Sequence, residues 1–111
     1  MIARVRGGNT EIRHPTALKQ GVPDQTIDVD LPVSWDGLFV QAVFVTKSKR
    51  WEVPVEYGSI TVPLEALEDP NEELRMYFAV PVRRGASLMH TALSQPIRIR
   101  PKKSSSAEEE D

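Results

Sequence analysis

The sequence predicts an all-β fold, a small antiparallel β-sandwich of about eight short strands with one short helical turn. Three observations lead to this prediction. Short stretches alternate apolar and polar residues, as half-buried strands do, and proline or glycine interrupts them repeatedly. One longer stretch, residues 34–46, begins with a tight turn and continues as a run of β-forming residues. The 111 residues suit one domain with a single modest core, and a small barrel is the alternative to the sandwich.

Residues 34–46 are predicted to contain the strand around which the other strands assemble. A turn at Trp35, Asp36 and Gly37 opens into the sequence LFVQAVFV. Both faces of that run are largely apolar, which is typical of a strand that is covered on both sides or lies deep in a sheet. The residues that share one face are Leu38, Val40, Ala42 and Phe44.

Three elements are predicted before this strand. Residues 1–14 should form a hairpin that turns at two adjacent glycines, and the hairpin should lie at a sheet edge because its apolar residues are few. Residues 15–24 contain two prolines and no clear period, so we expect a loop that could contact a partner. Residues 25–31 alternate apolar and polar side chains as a half-buried strand does.

The second half of the chain continues the strand pattern. Residues 51–56 alternate, but Pro54 lies among them, which indicates an edge strand or a bulge. Residues 62–67 place a proline before Leu, Glu, Ala and Leu, which predicts a short helical turn. The remaining predicted elements are a strand at residues 74–80, a turn at 83–86, strands at 87–92 and 96–100, and a disordered charged tail at 102–111, so that the folded domain spans residues 1–101.

The inward-facing positions of these elements predict the core. Trp35 lies at the turn that packs onto the central strand, and Trp35→Ala should therefore cost on the order of 3–5 kcal/mol of stability. The predicted core residues are Leu31, Trp35, Leu38, Val40, Phe44, Leu67, Met76, Phe78 and Ile99.

The composition excludes several kinds of site. Cysteine is absent, so the sequence contains no disulfide, zinc-thiolate site or thiol nucleophile. No apolar run approaches the roughly 20 residues of a membrane-spanning helix, and residues 1–11 have no secretory-signal pattern. The tail holds Lys102, Lys103 and four carboxylates, so the 14 basic and 16 acidic side chains of the chain fall to 12 of each in the body. A neutral body argues against nucleic acid as a ligand.

Few residues are spaced for catalysis or metal binding. His14 and His90 have no triad partner or further ligand at a recognisable spacing, so we expect them to be structural. Asp28 and Asp30 share one strand face, but no calcium-loop pattern surrounds them. Aromatic residues make up only 6% of the chain, too few for an obvious base-stacking platform. The basic residues that could meet in one patch are Lys47, Lys49, Arg50, Arg83, Arg84, Arg98 and Arg100. The sequence thus predicts no enzyme activity, catalytic residue, metal or cofactor.

The order of elements between residues 25 and 100 carries a family resemblance. Its features are a strand closing on Pro32, a turn from Trp35 into a strand that ends near Phe44, a corner from Val62 and Pro63 to Leu67, a strand at 74–80, Thr91, and a final strand at 97–100. This order resembles the small β-sandwich modules of tailed bacteriophages of Gram-positive hosts, found in baseplate upper proteins, tail or head fibres and related minor virion proteins. The resemblance implies a non-enzymatic virion part that often oligomerises. No fibre, coiled-coil or receptor-binding segment follows the module in this sequence, which favours an accessory or assembly protein.

The resemblance therefore leads us to expect a structural or assembly protein of a phage or prophage tail, baseplate or head. It would act through protein–protein contacts with other virion or tail proteins, or with copies of itself, in the virion or in the host cytoplasm before assembly. The alternative is a soluble carbohydrate- or nucleic-acid-binding β-module, and a salt-sensitive gel shift would favour nucleic acid. The candidate partner contacts are Trp51, Val53 and Val55 on the edge strand and Leu18, Lys19 and Val22 in the loop. Trp51 is the best single anchor, and the alternative is that it belongs to the core alone.

Overall fold

The computed structural model describes residues 1–81 and 89–102, and in them ten strands and two short 3₁₀ helices make up an all-β fold. The strands are β1 (Ile2–Arg6), β2 (Asn9–Arg13), β3 (Leu18–Lys19), β4 (Thr26–Asp30), β5 (Gln41–Val45), β6 (Arg50–Pro54), β7 (Ser59–Thr61), β8 (Arg75–Val80), β9 (Met89–His90) and β10 (Ile99–Arg100). The 3₁₀ helices span Val33–Trp35 and Leu64–Leu67. The three sheets have the strand orders β2-β1-β4-β7, β6-β5-β8-β9 and β10-β3. The all-β sandwich class predicted from the sequence is confirmed.

The first sheet contains the predicted hairpin but does not place it wholly at an edge. The β1–β2 turn uses Gly7 and Gly8 at positive φ of 57° and 81°, values that glycine adopts without steric cost. Of the two hairpin strands only β2 lies at an edge, because β1 also pairs in parallel with β4. One face of β1 carries Arg4 and Arg6, and Arg4 lies 3.9 Å from Glu11 across the hairpin. The parallel β1–β4 and β10–β3 pairs correct the expectation of a wholly antiparallel sandwich.

The second sheet is built around β5, as the sequence predicts. β5 pairs with β6 on one side and β8 on the other, and both of its faces are covered. Ala42 and Phe44 enter the core, and Val43 is buried on the opposite face. The strand is shorter than predicted, because Leu38 donates its N–H to the Trp35 carbonyl and the chain keeps turning through residue 38.

The core lies between the two four-stranded sheets, and most of its predicted members are correct. Leu31 and Trp35 are half-buried and pack against it. Leu38 is exposed, so its prediction is wrong, since it precedes β5 in the turning segment. The predicted residues found buried are Val40, Phe44, Leu67, Met76, Phe78 and Ile99.

Residues 91–97 run beside β8 in place of the regular strands predicted there. The backbone donors are Thr91, Ser94 and Ile97, and their acceptors are the carbonyls of Phe78, Met76 and Leu74 at 2.9, 2.8 and 2.7 Å. The segment therefore advances three residues for every two residues of β8. Because of this mismatch, the N–H groups of Phe78 and Met76 have side-chain acceptors in place of backbone carbonyls. The hydroxyls of Thr91 and Ser94 accept them at 3.0 and 3.1 Å. The chain then enters β10, which pairs with β3, a two-residue strand within the predicted loop of residues 15–24.

The predicted helical turn is found as the 3₁₀ helix Leu64–Leu67, which follows Pro63 and buries Ala66 and Leu67. The other 3₁₀ helix, Val33–Trp35, was not predicted. The predicted turn at residues 83–86, and the tail beyond Lys102, lie outside the described residues.

Candidate functional site

The backbone register of β6 determines which of its N–H and carbonyl groups point away from the sheet, where a partner could bond to them. Among the described strands, β6 pairs with β5 alone. Two flanking bonds fix the register, from the Val55 N–H to the Val40 carbonyl at 3.0 Å and from the Thr46 N–H to the Lys49 carbonyl at 2.9 Å. Because hydrogen-bonded pairs alternate along an antiparallel ladder, the bonded positions of β6 are residues 51 and 53.

The other positions of β6 therefore face away from the sheet. The N–H groups of Arg50 and Glu52 point outward, and Pro54 occupies the next outward position, where the missing N–H removes no bond to β5. The prediction that Pro54 marks an edge strand is confirmed. This edge presents two backbone donors, with carbonyl groups beside them, to which an extended chain could add.

The side chains of β6 alternate between the core and solvent. Trp51 lies opposite Phe44 and Val53 opposite Ala42, and both are half-buried against the core, as is Val55. Trp51, the predicted anchor, is thus partly a core residue and partly open to a partner.

A seam separates the β6 edge of one sheet from the β7 edge of the other. A tight turn joins the two strands, with Glu56 and Ser59 exchanging backbone hydrogen bonds of 3.0 Å. The next facing pair would be Pro54 and Thr61, but proline has no N–H to continue the ladder. The strands diverge from that point, and two clefts lie along the seam.

The first cleft has a volume of about 170 Å³ and lies where β6 meets the 3₁₀ helix Leu64–Leu67. Trp51 and Ala66 form apolar parts of its wall. Its charged lining residues are Glu65, Glu68, Asp69, Glu72 and Lys49. The cleft is therefore acidic around a partly exposed indole.

The second cleft, of about 540 Å³, continues along the same seam. Val53 and Pro54 line it from β6, and Val62, Pro63 and Leu64 line it from the opposite side. Adjacent residues of the 3₁₀ helix, Leu64 and Glu65, line the second and first clefts respectively, as Val53 and Trp51 do on β6, so the two clefts lie side by side and are together called the seam groove. The seam groove is most acidic at the first cleft and more apolar at the second.

The predicted contacts in the loop of residues 15–24 differ in accessibility. Leu18 is 4% exposed and belongs to the core, so its side chain is not open to a partner. Lys19 and Val22 are exposed. The Gln25 side chain fixes this loop, because it accepts a bond from the Lys19 N–H and donates to the Lys19 and Val22 carbonyls at 2.7–2.8 Å.

An apolar surface that the sequence reasoning missed lies at one end of the sandwich. The segment between β4 and β5 exposes Val33 by 83% and Phe39 by 55%. Tyr57, in the β6–β7 turn at the same end, is fully exposed and holds a positive φ of 53°. The signal for this surface was present in the run LF before β5, but a strand interpretation assigned those side chains to buried faces.

The remaining candidate residues do not come together. Asp28 and Asp30 are exposed on β4, and His90 packs edge-on against Tyr77 with ring centroids 5.8 Å apart. His14 is exposed just after β2. In residues 1–81 and 89–102, no group of three or more histidine or acidic side chains is arranged to hold a metal ion.

Three of the predicted basic residues lie in two different parts of the fold. Arg50, in β6, donates to the Glu52 carboxylate at 2.7 Å. Arg100 lies in β10 beside β3, and Arg98 lies just before β10. Arg83 and Arg84, of the second basic turn, lie outside the described residues.

The described part of the chain contains no helix long and apolar enough to cross a membrane. No model of a known protein family matches this sequence, and a comparison with curated proteins found no relative.

Proposed function

We propose that this protein is a non-enzymatic structural or assembly component of a phage or prophage particle, and that it works by adding a strand of a partner protein to the β6 edge. The virion setting rests on the resemblance of residues 25–100 to small β-sandwich modules of tailed phages. The mode of contact rests on the geometry of β6. The two are separable, and the second can be tested on the purified protein.

The observation that carries the mode of contact is the outward direction of the Arg50 and Glu52 N–H groups on a strand that has one described partner. An extended segment adding to such an edge gains main-chain hydrogen bonds, and pockets beside the edge select its side chains. The seam groove beside β6 supplies such pockets, and Trp51 is partly exposed in one of them. A partly exposed tryptophan beside an open edge is a typical interface anchor.

The experiment is co-purification of the tagged protein with virion and tail proteins expressed from the same gene cluster. The informative variant is Glu52→Pro, because it removes the outward N–H and leaves the bonds to β5 intact. We expect Glu52→Pro to reduce capture of the partner by about tenfold or more, since strand addition would lose a main-chain bond and meet a steric block.

The matched control is Glu52→Gln, which removes the same carboxylate and its ion pair with Arg50 but keeps the N–H. It should capture the partner as the parent does. Circular dichroism melting must show that both variants fold. Equal capture by Glu52→Pro and the parent would exclude β6 as the contact. A protein that is absent from particles and binds none of their components, while binding DNA tightly or hydrolysing a substrate, would contradict the function itself.

A further inference from the structure

The seam groove has a strong charge asymmetry beside the open strand edge. Six carboxylates line its two clefts, against one cation, Lys49. None of the six forms an ion pair with another described residue. They are Glu65, Glu68, Asp69, Glu72, Asp24 and Glu56. An extended segment that adds to β6 would therefore place its groove-facing side chains in a negative potential.

The carboxylates are concentrated at one end of the groove. Four of them surround the cleft that contains Trp51, whereas Val53 and Leu64 lie in the neighbouring cleft beside apolar and proline residues. Trp51 and Val53 are two residues apart on β6, so their side chains share one face. A partner strand running beside them would also present alternate side chains to the two clefts, roughly 7 Å apart.

We propose that the occupant of this groove is an extended segment of a partner protein that carries a lysine or arginine two positions from an apolar residue. The basic side chain lies over Trp51 among the four carboxylates, where a cation–π contact adds to the charge attraction. The apolar side chain lies between Val53 and Leu64. The inference rests on the proposed strand addition at β6 and deepens it by naming the chemistry of the segment that adds.

The probe is a fluorescent nine-residue peptide in which threonine alternates first with two lysines and then with two valines. This peptide places its lysines at the acidic end and its valines at the apolar end when it adds parallel to β6. Its reversed-order version, with the valines first, does so when it adds antiparallel, and both versions are measured as the lysine peptide. A second peptide carries glutamate in place of each lysine, and a third carries N-methyl groups on alternate backbone amides. We expect fluorescence anisotropy to show binding of the lysine peptide alone, weakening as NaCl rises from about 50 to about 300 mM.

The matched variants change the net charge equally. Glu65→Gln with Glu68→Gln removes two exposed carboxylates of the groove, and we expect about tenfold weaker binding of the lysine peptide. Asp30→Asn with Asp36→Asn removes two exposed carboxylates that line neither cleft and form no ion pair with a described residue, and it should leave the affinity unchanged. If both double variants lose the same affinity for the lysine peptide, the binding depends on net charge alone and the proposal is overturned.

Three other outcomes would also overturn it. They are no measurable binding of the lysine peptide, equal binding of the glutamate peptide, and tighter binding of a single-stranded oligonucleotide than of any peptide. The failure of this inference is distinguishable from failure of the proposed function. Suppose that Glu52→Pro abolishes capture of the natural partner, but the protein does not bind the lysine peptide. Strand addition at β6 then stands, and only the basic character of the added segment is excluded.

Discussion

At the scale of single residues, two buried threonines hold the segment after β9 to the rest of the fold. Thr10 donates its hydroxyl proton to the Ala92 carbonyl at 2.7 Å, so the 2.6 Å contact between the two hydroxyls must use the proton of Thr91. Thr91 in turn accepts the Phe78 N–H at 3.0 Å. Each hydroxyl is thus both donor and acceptor, and the chain of bonds ties β2 to β8.

Thr91→Val should destabilise the protein by about 1–3 kcal/mol, because the buried N–H of Phe78 loses its acceptor while the volume of the side chain is kept. Urea unfolding followed by circular dichroism measures the change. The control is Thr10→Val combined with Thr91→Val, whose cost should be less than the sum of the single costs if the two hydroxyls interact. Additive costs, or a Thr91→Val protein as stable as the parent, would contradict the described network.

At the scale of elements, alternation in the sequence predicts β4, β6 and β8, and Pro54 identifies the edge strand. The unbroken apolar run predicts β5, because both of its faces are covered. The parallel pairing of β1 with β4 could not be predicted, since periodicity describes one strand and not its neighbour. The segment 91–97 could not be predicted either. Its Thr91 and Ser94 hydroxyls accept backbone N–H groups of β8, and the sequence does not show that these residues lie beside β8.

The register of β6 makes a paired prediction for proline. Val53→Pro should cost about 3 kcal/mol or more, because the Val53 position bonds to β5 and proline cannot donate that bond. Glu52→Pro should cost much less, because its N–H faces away from the sheet. Thermal melting of the two variants gives the comparison. Equal destabilisation, or a larger loss for Glu52→Pro, would show that residues 51 and 53 are not the positions of β6 that bond to β5.

At the scale of the whole molecule, the two ends of the sandwich differ in surface chemistry. One end carries the exposed apolar side chains of Val33, Phe39 and Tyr57, and the seam at the other end is acidic. The candidate edge strand was predictable because proline marks it in the sequence. The seam groove beside this strand was not predictable, since it lies between β6 and a 3₁₀ helix that ends 13 residues after Pro54.

The charged tail gives a further prediction at this scale. Residues 104–111 contain serines, one alanine and four carboxylates, and they offer no large apolar side chain to the core. Their removal should leave the melting temperature unchanged. Differential scanning calorimetry of the truncated chain beside the full chain tests this. A clear fall in melting temperature would mean that the acidic run contacts the body, with Arg83 and Arg84 as the first residues to examine.

The most direct measurement of the central claim is amide hydrogen exchange by NMR at Arg50 and Glu52, in the free protein and in complex with a captured virion or tail protein. In the free protein these two outward N–H groups should exchange quickly, while those of Trp51 and Val53 should be protected by β5. Strand addition predicts that the complex slows exchange at Arg50 and Glu52 by about a hundredfold or more. A complex that leaves both amides in fast exchange, and instead covers the apolar end at Phe39 and Tyr57, would contradict it.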